Sequence, residues 1–141
     1  MANEADIRMS LQIVSDEFKH RTFTTDFRSD VTGKKGPSPG GFQASVAGTT
    51  VDFSELVTPT WCEIRNYDET NFVTIGIWDG TEFYPLLEVM PETHQVLRLS
   101  RLLGRSLDTG TGTGTFDTGT YQLMVKADTA ACSVYVGAFE R

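Results

Sequence analysis

Apolar residues in this chain recur two positions apart, and the runs they form are cut every eight to twelve residues by clusters of Gly, Pro, Asn and Asp. Period and punctuation together constrain the fold more than any single motif, because side chains two apart share a face only on a strand. In "DIRMSLQIV" (6–14), Ile7, Met9, Leu11 and Ile13 fall on one side of a ladder and mostly polar residues on the other, which predicts a half-buried strand. "FKHRTFTTDF" (18–27) is rich in β-formers and predicts a second. Similar runs follow at 42–47, 49–53, 61–66, 71–78, 81–89, 121–127 and 132–139. "HQVLRLSRLLG" (94–104) fits a helix through Val96, Leu99 and Leu103 or a short strand through "VLRL", and the regularity of its neighbours favours the strand. The expected architecture is all-β: an antiparallel, jelly-roll-like β-sandwich of eight to ten strands with little or no helix.

At 141 residues the chain suits a single domain. Residues 28–41, "RSDVTGKKGPSPGG", hold four glycines, two prolines and paired lysines, and predict a flexible loop within an N-terminal arm spanning 1–41.

One hairpin can be read in more detail. "NYDET" makes a turn from Asn66 and Asp68, whose side chains can bond nearby backbone, and Asp79-Gly80 returns the chain into "TEFYPLLEV". A three-residue turn, Trp78-Asp79-Gly80 with Gly80 left-handed, would set Val73, Ile75 and Ile77 opposite Pro85, Phe83 and Thr81. A two-residue turn would set them opposite Leu86, Tyr84 and Glu82 and split the core between faces, so the first is preferred. Pro85 should end the pairing, bulge it or mark an edge strand, and the gap at Gly76 invites a bulky cross-strand cover.

Twelve Lys and Arg against nineteen Asp and Glu give a net charge of −7, which disfavours nucleic acid and anionic membranes as partners. No apolar run is long enough to span a bilayer, and the N-terminus lacks a basic start followed by an apolar stretch, so a cytoplasmic site of synthesis is expected. Cys62 and Cys132 match no zinc or redox spacing and are expected as small buried thiols; whether they pair stays open.

Chemistry-bearing patterns are sparse. "GTGTGTFDTG" resembles a phosphate loop in composition only, because no helix follows it. Asp108 and Asp117 fit no calcium-loop spacing, and His20 and His94 form no metal pair with the cysteines. No serine occupies a Gly-x-Ser-x-Gly elbow. The residues therefore predict no catalytic site, no cofactor and no metal. Binding residues are better candidates: the basic cluster Arg98, Arg101 and Arg105, the pair Lys34 and Lys35, and, for a glycan, the aromatics Tyr67, Trp78 and Tyr84.

Four segments carry a resemblance: "IRNYDETNFVTIGI" (64–77), "TEFYPLLEVMPE" (81–92), "VLRLSR" (96–101) and "KADTAACSVYVGAFE" (126–140). In their order they resemble small structural proteins encoded among the virion genes of tailed bacteriophages. The resemblance covers residues 61–141. Two departures stand out. Similar proteins usually carry a glycine between the proline and glutamate of "MPE", and their link before the Lys-Ala strand is often shorter than "GRSLDTGTGTGTFDTGT". The resemblance implies a non-enzymatic β-sandwich located in the virion and binding the major capsid protein or copies of itself, most plausibly as a capsid decoration or cement protein. A connector or tail subunit is a second option. A carbohydrate-binding or receptor-binding module of a tail or fibre is the alternative from a different class. On the decoration reading, Lys34 and Lys35 would meet an acidic capsid surface.

Overall fold

The computed structural model describes residues 4–22, 24–30, 35–100, 103 and 121–140. The chain divides into two compact units, Met1–Thr32 and Gly33–Arg141.

The first unit is a two-stranded antiparallel ribbon. Strand β1 (Glu4–Met9) pairs with β4 (Thr25–Asp30), and β2 (Gln12–Val14) pairs with β3 (Lys19–Arg21). The ribbon turns at Ser15–Phe18, where the Ser15 N–H donates to the Phe18 carbonyl (2.9 Å) and the Phe18 N–H to Ser15 Oγ (3.1 Å). Two residues separate β1 from β2 while three separate β3 from β4, so the returning limb carries one extra residue, a β-bulge. Each of the two strands expected over 6–14 and 18–27 is therefore broken into two. The Thr22 hydroxyl bridges the break by accepting from the Leu11 N–H at 2.8 Å.

The second unit is an eight-stranded sandwich built from β5 (Ser38–Ala44), β6 (Thr49–Thr50), β7 (Pro59–Asn66), β8 (Val73–Trp78), β9 (Phe83–Val89), β10 (His94–Arg98), β11 (Gln122–Ala127) and β12 (Cys132–Glu140). One sheet runs β10-β7-β12-β5 and the other β6-β11-β8-β9, with every pairing antiparallel. The pairs nest: β5 with β12, β6 with β11, β7 with β10, and β8 with β9 innermost. That nesting is the jelly-roll winding.

Alternation decides which residues fill the space between the sheets. Along β7, Cys62, Ile64 and Asn66 are buried while Trp61, Glu63 and Arg65 face outward. Ile75, Val125, Val134, Val136 and Phe53 complete a core cluster with almost no solvent contact. Each such side chain contributes about 1.5–3 kcal/mol by leaving water. Cys62 and Cys132 are buried and unpaired to each other, and burial, with the neighbouring Glu63 charge, pushes the Cys62 thiol up to about 12.

Three expectations need correction. The loop anticipated over 28–41 is strand at both ends: residues 28–30 belong to β4 and 38–41 open β5, where Pro39, Gly40 and Gly41 pair with Gly137, Val136 and Tyr135. A proline and two glycines are tolerated there because β5 is an edge strand. The β8–β9 register also differs from both alternatives. Trp78 faces Phe83 and Ile77 faces Tyr84, then the register slips so that Ile75 faces Leu87 and Val73 faces Val89. A four-residue turn, Asp79–Glu82, replaces the shorter ones, because Asp79 Oδ1 accepts from the Thr81 and Glu82 N–H groups (2.8 and 2.7 Å). The bulge falls beside Pro85 on an edge strand, and Gly80 is left-handed (φ 98°), both as the sequence predicts. The third correction is the ribbon: of the four apolar residues expected on a half-buried face, Met9, Leu11 and Ile13 are exposed and Ile7 is partly buried.

Candidate functional site

The candidate surfaces are best built from the turn at residues 66–71 outward. Asn66 is buried, and its Nδ2 donates to the carbonyls of Asn71 (2.8 Å) and Val89 (3.2 Å) while its Oδ1 accepts from the Asp68 N–H (3.0 Å). Asp68 Oδ1 in turn accepts from the N–H groups of Asn71 (2.6 Å) and Thr70 (2.9 Å), which hold its carboxyl below the ordinary carboxylate range. The same turn reaches the β9–β10 connection: the Glu92 N–H donates to the Asp68 carbonyl (3.0 Å) and the Asn66 N–H to the Thr93 carbonyl (2.9 Å). Glu92 sits at φ 54°, in the left-handed region.

Between these two turns lies a shallow hollow of about 260 Å³, lined by Arg65, Asn66, Tyr67, Glu92, Thr93 and His94. Arg65 is held in place from two sides. Its Nε and Nη2 donate to Glu63 (2.7 and 3.0 Å), and its guanidinium carbon lies 5.8 Å from the centroid of the Tyr135 ring. Glu63 first, then burial and the Tyr67 hydroxyl, set the Arg65 pKa, with a net rise.

A second surface runs along β9. The bulge between Ile75 and Gly76 leaves Leu86 opposite no residue of β8, and Leu86 is 67% exposed. Tyr84 and Met90 are exposed on the same strand and its exit, and Val96 is exposed on β10 beyond the next turn. Four carboxylates accompany them, Asp79, Glu82, Glu88 and Glu92, with no Lys or Arg between residues 79 and 93. The Tyr84 hydroxyl donates to Asp79 Oδ2 (3.2 Å), whose charge raises the Tyr84 pKa. Strand β9 is blunted as an edge by Pro85 and the bulge, so this wall offers side chains more readily than a free ladder.

The third surface is on the ribbon. Met9, Leu11 and Ile13 alternate along one face and are 44%, 50% and 43% exposed, with Phe18 exposed in the turn. The opposite face carries Arg8, which pairs with Asp26 directly across the ladder (2.7 Å). A lone two-stranded ribbon is marginally stable in water, because it has no second layer to bury its apolar side.

The residues singled out by sequence are dispersed over these surfaces. Lys35 is exposed, and its carbonyl accepts from the Glu140 N–H (3.0 Å); Lys34, Arg101 and Arg105 lie outside the described residues. Arg98 stands over the ring of Trp61, its cross-strand partner, at 5.9 Å. Tyr67 follows β7 in one sheet, whereas Trp78 and Tyr84 belong to β8 and β9 of the other, so the three aromatics do not form one platform. Sequence reasoning missed Arg65, Leu86, Met90 and Glu92. Pro85 signalled a bulge, but not which neighbour it would expel.

Among the described residues, no group of three or more His, Cys, Asp or Glu is placed to hold a metal ion, and no helix is long and apolar enough to cross a membrane. Compared with known protein families, with curated proteins and with solved structures, the chain matches none of them.

Proposed function

We propose that this chain is a structural protein of a tailed-bacteriophage virion, a capsid decoration or head-accessory subunit that holds to its neighbours through its N-terminal ribbon. The observation that carries this reading is the ribbon's apolar side chains: Met9, Leu11 and Ile13 stand exposed on a unit in which none of the described residues is buried. Such side chains gain stability by being covered. A jelly roll is a frame used for capsid subunits as well as lectins, so the fold is compatible with this role without specifying it. The net charge of −7 favours protein neighbours over packaged nucleic acid. The segments at 64–77, 81–92, 96–101 and 126–140, which resemble virion proteins, contribute the architecture on which the ribbon is carried.

The test is fractionation of purified particles. The protein is expected to co-purify with them and to be released by mild denaturant, and deletion of residues 1–32 is expected to abolish its incorporation. Absence from the particles would end this reading.

A second reading, a carbohydrate-binding module, is favoured by one observation. The hollow beside Tyr67 joins an aromatic ring to Arg65, Glu92 and His94, the mix of ring face and planar polar groups that suits a sugar. Titration of the protein with host-surface polysaccharide, alongside Tyr67→Ala, decides it: binding that Tyr67→Ala abolishes supports this reading, and no binding removes it.

A further inference from the structure

Resting on the virion reading above, we infer that the open edge of β10 takes up an extended, carboxylate-bearing segment of a neighbouring virion subunit, which joins the sheet as a further strand beside His94, Val96 and Arg98. Hydrogen bonds at the two ends of the β7–β10 ladder fix which way each residue points. The Asn66 N–H donates to the Thr93 carbonyl (2.9 Å) and the Leu99 N–H to the Thr60 carbonyl (2.7 Å), so in this antiparallel register the bonded partners between them are Ile64 with Gln95 and Cys62 with Leu97. His94, Val96 and Arg98 therefore turn their N–H and C=O groups away from β7. Among the described residues no strand lies on that side, and all three are exposed.

The sandwich's other edges are blunted against such an addition. Strand β9 carries Pro85 and a bulge, β5 carries Pro39 and two adjacent glycines, and β6 is only two residues long. Strand β10 has five residues with no proline, no lysine and an unbroken register. Its outward groups recur about 6.8 Å apart, the repeat that another strand presents.

Charge names the occupant. Residues 93–107 hold three arginines and no Asp or Glu, in a chain whose net charge is −7. Arg98 stands over the ring of Trp61, and the neighbouring carboxylate, Glu63, is taken by Arg65 (2.7 and 3.0 Å), so no carboxylate among the described residues pairs with Arg98. A strand laid along β10 sets its side chains directly beside those of β10, and a carboxylate opposite Arg98 with an apolar residue opposite Val96 would complete the row. Strand β10 itself carries no carboxylate, so pairing with the β10 of a second copy would leave Arg98 unmatched.

The test compares the full-length chain free in solution with the same chain in purified particles. In solution the amide hydrogens of His94, Val96 and Arg98 are expected to exchange rapidly while that of Leu99 is protected, and in particles the three are expected to gain protection. Val96→Pro removes an outward N–H that β7 does not use, a change an edge strand tolerates, and is expected to lower incorporation into particles at least about tenfold. Val96→Thr keeps that N–H and is expected to be incorporated like wild type. Arg98→Glu is expected to lower incorporation about fivefold. Circular dichroism and thermal melting confirm that each variant is folded; if Val96→Pro does not fold, the exchange comparison and Arg98→Glu decide.

Exchange at 94–98 that is unchanged in particles, or a folded Val96→Pro variant incorporated like wild type, overturns the proposal, and the virion reading survives because the wild-type chain is still in the particles. Incorporation unaffected by Arg98→Glu overturns it as well, since the partner is then not acidic. Protection of the three amides that appears in the free protein with rising concentration also overturns it, because the occupant is then a second copy. Absence of the wild-type chain from particles removes the virion reading and this contact together.

Discussion

The ring of Phe83 lies over Gly76 on the neighbouring strand: a Cβ placed on Gly76 would come within 2.6 and 2.7 Å of two Phe83 ring carbons and would also strike the Tyr84 carbonyl. Lys126 Nζ stands 5.8 Å from the centroid of the same ring. The bare position in β8 is therefore filled from β9, as the sequence reading anticipated for a glycine beside an aromatic strand. Gly76→Ala should destabilise the sandwich by about 1–3 kcal/mol, because the ring can swing away but the backbone carbonyl cannot. Urea unfolding should show a lower midpoint with an unchanged slope.

Asn66 should be costly to remove. Its amide serves two carbonyls, those of Asn71 and Val89, and so ties β7 to both limbs of the β8–β9 hairpin. Asn66→Ala leaves those carbonyls short of a partner in a buried setting, a loss of about 2–3 kcal/mol read from the same unfolding curves.

Glu92 makes the opposite prediction. It occupies the left-handed region at φ 54°, where a side chain costs about 1–2 kcal/mol and glycine does not. Glu92→Gly should raise stability by about 0.5–1 kcal/mol after the added chain entropy of glycine is deducted, and Glu92→Ala should bring no such gain. If the hollow binds a sugar, the more stable variant should bind it less well.

Acid should loosen the two Asp-centred turns. Backbone N–H groups hold the Asp68 and Asp79 carboxyls below their ordinary values. A depressed carboxylate contributes stability that is fully present above its unfolded value of about 4 and is lost as pH falls through the lower folded value. The urea midpoint should therefore be flat with respect to these groups from pH 7 to about 5 and should fall below pH 4. Asp68→Asn should lower stability at neutral pH and flatten part of that acid limb.

Much of this molecule can be read from its residues, and the failures have a common cause. The alternation in β8 located part of the core, since Val73 and Ile75 are buried and Ile77 packs against them, where a period of two puts all three. Gly80 and Pro85 announced a left-handed turn and an irregular edge. Register was lost because Asp79 caps two N–H groups and lengthens the turn, a choice made by side-chain hydrogen bonds that periodicity does not encode. Burial of the first strand was misjudged for a related reason: alternation separates two faces but does not say whether anything lies behind one of them. The hollow escaped notice because Arg65, Tyr67, Glu92 and His94 are brought together by the β7–β10 pairing and by the bond from the Glu92 N–H to the Asp68 carbonyl, contacts between segments distant in sequence.

The nesting of the strands also sets an order of events. Strand β12 lies between β5 and β7, partners drawn from residues 38–44 and 59–66, so its sheet has a gap in the middle until that late segment has left the ribosome. Closing such distant pairings is slow, on the scale of milliseconds to seconds. A nascent chain of this design must wait, with the partners of β12 apart, until that strand has been made before it can present a closed sheet to any neighbour.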